Sequence, residues 1–126
     1  MLLKLKPDSD TPIYLQIRRQ IVAGFARGDL AVGEQLPSVR QLAMDIGVNL
    51  HTVHKAYALL QSEGYITMSG RRGAVVAQPP LWDDEFLERL RIQLDELLLE
   101  AKGRGVPAEA LERLWRDARD GIGNSD

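Results

Sequence analysis

The side chains best suited to chemistry crowd into one stretch: Arg40, then Asn49, His51, His54 and Lys55, then Gly70-Arg71-Arg72-Gly73. His51 and His54 are three apart, which on a helix would let two imidazoles share a metal ion. No third ligand follows at a motif spacing and the chain has no cysteine, so plain surface histidines are the better reading and no metal is expected. Catalysis finds no support either. There is no nucleophile motif, no phosphate-binding glycine loop after a strand and no paired buried carboxylate, so neither an enzyme nor a cofactor is expected. What remains is a set of cations and hydrogen-bond donors, and that chemistry suits phosphates and base edges.

Such groups work only if held rigidly, and the surrounding residues spell out the holders. Ser38 follows Pro37 and is placed to cap a short helix carrying Val39, Leu42, Ala43 and Ile46. Gly47 suits the left-handed position that ends it. Asn49 caps a further helix running to about Glu63, with Gly64 as its stop. Two capped helices with only Gly47-Val48 between them make a helix-turn-helix. Tyr65 to Met68 and Ala74 to Ala77 have strand character around the glycine-arginine turn, a hairpin that must lean on the helices because two strands alone are not stable. Upstream, Thr11 is expected to cap a first helix with Pro12 inside it, and Ile13, Ile17, Ile21 and Phe25 form its apolar stripe. Leu30 to Gln35 reads as a connector, and Gln78-Pro79-Pro80 as a short stiff linker.

On a helical wheel Val53, Ala56, Tyr57 and Leu60 face the core, while His51, Lys55, Ala58 and Ser62 fall opposite with His54 on the flank. A solvated face explains this pattern as well as a recognition face does; the capped turn before the helix and the hairpin after it favour DNA. Ser38 and Asn49 are helix caps whose exposed N–H ends could also meet phosphate. Arg40 stands in a first helical turn, where the dipole disfavours a cation, so it either pairs with Glu34 or Asp45 or meets DNA. Arg71 and Arg72 are either a polar turn or a wing contact to backbone or minor groove. On the DNA reading Ser38, Arg40, Asn49 and the two wing arginines set register on phosphates, and Asn49, His51, His54 and Lys55 read base edges.

Net charge sharpens this. The whole chain of 126 residues carries −2, unpromising for a nucleic-acid partner. Residues 1–78 hold nine Lys/Arg against six Asp/Glu, a balance of +3, and residues 79–126 hold seven against twelve, a balance of −5. A basic first part can approach phosphate while an acidic second part faces away. The acidic part reads as two helices. The first bears Leu87, Leu90, Leu94, Leu97 and Ala101 at alternating spacings of three and four; Gly103 and Gly105 break it. Pro107 restarts a second with Leu111, Leu114, Trp115 and Ala118 on one side, and Gly121 to Asp126 is expected to fray. This seam could close within the chain, but self-association is preferred because a small tail has little else to cover. No membrane span or signal peptide is expected, and the absence of cysteine fits the cytoplasm.

The expected architecture is therefore mainly α with a small β-hairpin: a winged helix-turn-helix over residues 1–78, then a two-helix dimerisation segment over 79–126. The runner-up function is a winged-helix module that binds a protein through its acidic tail.

Leu36-Pro37-Ser38-Val39-Arg40-Gln41-Leu42-Ala43, Gly47-Val48-Asn49, Thr52-Val53, Lys55-Ala56-Tyr57, Glu63-Gly64 and the pair Gly70 and Gly73 resemble the GntR family of bacterial transcription regulators. Thr11-Pro12-Ile13-Tyr14-Leu15-Gln16-Ile17 and the short helical tail are similar to its YtrA subfamily. The resemblance implies a homodimeric repressor on a double-stranded operator with two-fold symmetry. It also implies that Arg40, Asn49, His51, Thr52, His54 and Gly70-Arg71 lie at or near DNA. Leu50 departs from the arginine or proline many members carry there, and no base contact is assigned to it. Larger branches add an effector-binding or aminotransferase-like domain; neither is expected here, and any small-molecule effector is unknown.

Overall fold

A computed structural model of the chain describes residues 3–122. Five helices and one hairpin follow in the order α1 (Ile13–Arg27), α2 (Val39–Ile46), α3 (Leu50–Ser62), β1 (Ile66–Ser69), β2 (Gly73–Val76), α4 (Asp84–Gly103) and α5 (Ala108–Ile122). The chain divides between Pro79 and Pro80 into two compact units.

In the first unit the apolar stripe of α1 buries Ile17 and Ile21 against Val53, Ala56, Tyr57 and Leu60 of α3, with Leu42 and Ala43 of α2 closing the cluster. Each helix reaches that core through a defined end. The Gln41 N–H donates to Ser38 Oγ at 3.0 Å and the His51 N–H to Asn49 Oδ1 at 2.7 Å, so both expected caps form. Between them Gly47 takes φ +67, left-handed backbone that a side chain would strain. The cap of α1 differs from expectation. Pro12 holds that position without a side-chain bond, and the Thr11 carbonyl instead accepts from Gln16 Nε2 at 2.8 Å. Gln16 is buried, and its amide also brackets the backbone of Lys6, accepting its N–H at 2.8 Å and donating to its carbonyl at 3.0 Å. Gln20 does the same for Lys4 one turn on. Two glutamines thus hold the N-terminal segment along α1, with Leu3 and Leu5 packed against the core.

The hairpin is stabilised on both edges. β1 pairs antiparallel with β2, Ile66 opposite Val76 and Ser69 opposite Gly73. On the other edge the connector before α2 behaves as a short third strand: the Gly33 N–H donates to Val76 O, Val76 N–H to Glu34 O and Leu36 N–H to Ala74 O, each at 2.8 Å. Burial of Ile66, Ala74 and Val76 anchors the hairpin to the core, and the Phe25 ring meets Tyr65 edge-on at 5.9 Å. Its tip is a single 3₁₀ turn over Gly70–Arg72 rather than an open glycine loop. Arg18 of α1 grips Glu63 at the end of α3 through two parallel bonds of 2.8 Å, tying the two helices at their solvent edge.

In the second unit Asp83 accepts the Phe86 N–H at 2.8 Å and caps α4, which continues through Gly103. The break falls at Gly105, φ +79, rather than at Gly103. Leu87, Leu90, Leu94 and Leu97 on α4 and Leu114 and Trp115 on α5 are all exposed, and Leu111 is half-buried. Gly121 lies inside α5; the rest of the expected fraying, residues 123–126, is outside the described residues. Among the described residues no helix is long and apolar enough to cross a membrane.

Tyr57 exemplifies how α3 is held: its hydroxyl donates to Pro37 O at 2.8 Å, beneath the start of α2. Burial pushes the Tyr57 phenol well above its ordinary range. Tyr57→Phe should cost about 1–2 kcal/mol in urea unfolding. Because the folded pKa is raised, the stability of the native chain should hold below the unfolded tyrosine value of about 10 and fall as pH rises beyond it. The phenylalanine variant should lose that part of the alkaline decline.

Candidate nucleic-acid interface

The start of α2, the start of α3 and the hairpin meet around one concave cleft of about 530 Å³. α2 contributes Ser38, Val39 and Arg40, α3 contributes Leu50, His51 and His54, and the hairpin contributes Met68, Gly73 and Ala74. The helix geometry makes this convergence unavoidable. Val53, Ala56, Tyr57 and Leu60 turn one face of α3 into the core, so His51 and His54 are carried outward at its N-terminal end. The free N–H groups at the starts of α2 and α3 lie on the same side, adding partial positive charge from both dipoles.

Arg40 is exposed and makes no ion pair among the described residues. Its two suggested partners are engaged elsewhere: Glu34 accepts the Ala31 N–H at 3.2 Å, and Asp45 accepts from the Gln41 side chain at 2.7 Å. No carboxylate lines the cleft. With no acidic neighbour in the concavity, the Arg40 charge is left for an external anion, and the two imidazoles offer hydrogen bonds beside it. A larger cleft of about 650 Å³ lies beside Leu3, Leu5, Ile13, Ile46 and Val48. Its one charged lining residue is Asp45, so it has neither the cations nor the donors that phosphate needs.

The other candidate residues stand around the cleft rather than in it. Asn49 is exposed, with its side-chain oxygen committed to the His51 N–H. Thr52 is half-buried, its N–H donating to Asn49 O at 3.1 Å. Lys55 is exposed and lays its ammonium over the Tyr14 ring at 4.1 Å, a cation–π contact that holds the charge toward α1. Gly70 and Arg71 are exposed on the hairpin tip. Arg72 is exposed too, but its Nη2 donates to Gly33 O at 2.9 Å, so it braces the tip against the connector. His51 and His54 have no companion ligand: among the described residues no three His, Asp or Glu gather as a metal site would require.

Reading the sequence for donors and cations missed the apolar members of the cleft, Val39, Leu50, Met68 and Ala74. The signal available for Leu50 was its position as the first residue of the helix, at the edge of the stripe that Val53, Ala56, Tyr57 and Leu60 define. For Met68 alternation gave no signal, because it puts residue 68 on the same face as buried Ile66, yet Met68 is exposed toward the end of the strand.

The description "Bacterial regulatory proteins, gntR family" matches residues 13–76, about half of the chain. The HTH-type transcriptional repressor YtrA of Bacillus subtilis is 36% identical over 113 residues, covering 87% of this chain and 86% of that protein. A crystal structure described as a transcriptional antiterminator from Listeria monocytogenes superposes with a TM-score of 0.92 at 30% identity, over 100% of this chain and 96% of that one. YtrA from Sulfolobus acidocaldarius, described as a GntR-family transcription factor, superposes with a TM-score of 0.67 at 39% identity, over 79% of this chain and 99% of that one. These relatives are named as regulators rather than enzymes. With the winged helix-turn-helix, the cleft that holds Arg40 and a family match across most of that unit, the chain belongs to the GntR family of DNA-binding transcription regulators, on its YtrA-like branch.

Proposed function

We propose that this chain is a repressor that binds a palindromic operator as a homodimer, with α3 in the major groove and the α4–α5 segment joining the two copies. The observation that carries the DNA face is the cleft itself: Arg40, His51 and His54 framed by two helix N-termini, with no acid among the lining residues. In this reading Ser38, Arg40, Asn49, Arg71 and Arg72 set the protein on phosphates, with Gly70 letting the backbone of the wing tip approach. Asn49, His51, Thr52, His54 and Lys55 serve base edges or their immediate surroundings. Arg72 and Lys55 would first have to leave Gly33 and Tyr14, contacts weak enough at an exposed site for phosphate to replace.

Support for pairing comes from the second unit. Leu87, Leu90, Leu94 and Leu97 lie on one side of α4, and Leu111, Leu114 and Trp115 on one side of α5. Six of these seven side chains remain exposed in the single chain, from 41% at Leu90 to 67% at Leu97. Burying it against a second copy would release roughly 25 cal/mol for each Å² covered, and a two-fold protein matches a two-fold operator. The balance of −5 over residues 79–126 disfavours that segment as the DNA face. The cytoplasm, where the chromosome is reached directly, is the compartment this role requires.

Selection of bound sites from random duplexes, with the mass of the complex measured alongside, tests the whole reading. A two-fold motif carrying two chains is the expected result. Binding abolished by unrelated competitor DNA would point instead to a protein-binding module. Arg40→Ala should weaken binding to all sequences and reduce the slope of log K against log salt by about 0.9 for each phosphate that the arginine neutralises; an unchanged slope removes Arg40 from the backbone contacts. His51→Ala should change the preferred base at one position of each half-site, read by repeating the selection. Leu94→Glu should shift the sedimenting species from dimer to monomer and weaken operator binding while the melting of the winged unit stays unchanged.

A further inference from the structure

Arg40, His51 and His54 frame an apolar floor in the cleft, and nothing in hydrogen bonding or charge accounts for it. Leu50 is 38% exposed and Met68 47% exposed, whereas Val53, one turn further along α3, is completely buried. Leu50 is the first residue of α3, at the end of the helix that a major groove admits. It shares its cleft with Arg40, His51 and His54 and with no carboxylate, so the groups around it draw a polyanion toward the leucine. The major-groove edge of DNA presents one apolar group, the C5 methyl of thymine.

We propose that Leu50 reads a thymine methyl in each half-site, with Met68 as the opposite, adaptable wall of the same apolar notch. This rests on the DNA-binding reading above and adds a base identity to it. Leucine has no donor or acceptor with which to address a guanine edge. Against cytosine it would forgo the methyl and press on the N4 amino group, leaving that donor without a partner. Both effects select thymine. Met68 suits the facing wall because a thioether chain can follow a methyl whose position shifts with local DNA twist.

The test uses the intact chain and the duplex enriched from random DNA. Each thymine of the half-site is replaced in turn, in both half-sites, by deoxyuridine, which removes the methyl and nothing else. For the native chain one position should lose about four-fold in affinity per methyl. Leu50→Ala, a change at an exposed position, should bind the thymine and deoxyuridine forms of that duplex equally, while native-like melting confirms its fold. Met68→Ala should reduce the same discrimination only in part. The inference is overturned if no thymine position is methyl-sensitive in the native chain, if the enriched half-site has no thymine, or if Leu50→Ala retains full discrimination. Failure to enrich any site at all would end the parent reading as well, so the two failures are distinct.

Discussion

Everything about the candidate interface depends on one constraint, the burial of a single face of α3. Val53, Ala56, Tyr57 and Leu60 interlock with Ile17 and Ile21, and this packing sets the rotation of α3 about its own axis. A helix turns 100° per residue, so once four positions are committed to the core every other position has its direction assigned. His51 and His54 then have no freedom to point anywhere but out. The Tyr57–Pro37 hydrogen bond and the Arg18–Glu63 pair act on the same helix at its middle and at its C-terminal end, holding tilt where core packing holds rotation. Rigid presentation matters because a base edge is recognised over distances of a few tenths of an ångström.

The wing depends on that core indirectly. Two strands of four residues would not stand alone. Here β2 is a central strand, bonded to β1 on one side and to Gly33, Glu34 and Leu36 on the other, and four of the hairpin's side chains are buried. The connector before α2 therefore does two jobs: it pairs with the wing, and it delivers Pro37 and Ser38 to the first turn of α2. Arg72, bonded to Gly33, closes the loop between wing tip and connector. Cleft walls from three separate elements are thereby braced against one another, and the cleft keeps its shape with few residues.

The two units divide the physical labour by composition. In the first, apolar side chains are turned inward, and Arg40 in the cleft has no acidic partner among the described residues. In the second, α4 has no buried residue, and its surface combines exposed leucines with acidic side chains. Leucines left open on a helix seek another apolar face, whereas carboxylates discourage phosphate. A single chain with net charge −2 can therefore be reconciled with a polyanionic partner, because charge is felt over about a Debye length and not as a sum.

Local chemistry was legible in the amino-acid order. Ser38, Gly47 and Asn49 act through bonds or backbone angles that involve neighbours within a few residues, so their roles follow from position alone. Helical periodicity likewise separated buried Val53 and Leu60 from outward His51 and Lys55. Long-range pairings were not legible. That Gln16 and Gln20 bind the backbone of Lys6 and Lys4, that the connector joins the hairpin, that Lys55 lies on Tyr14 and Arg72 on Gly33, all depend on which segments meet in space. Periodicity describes one helix or strand at a time and carries no information about its neighbours. The apolar floor of the cleft belongs to this second class, because Val39, Leu50, Met68 and Ala74 come from three elements and become one surface only when the core brings those elements together.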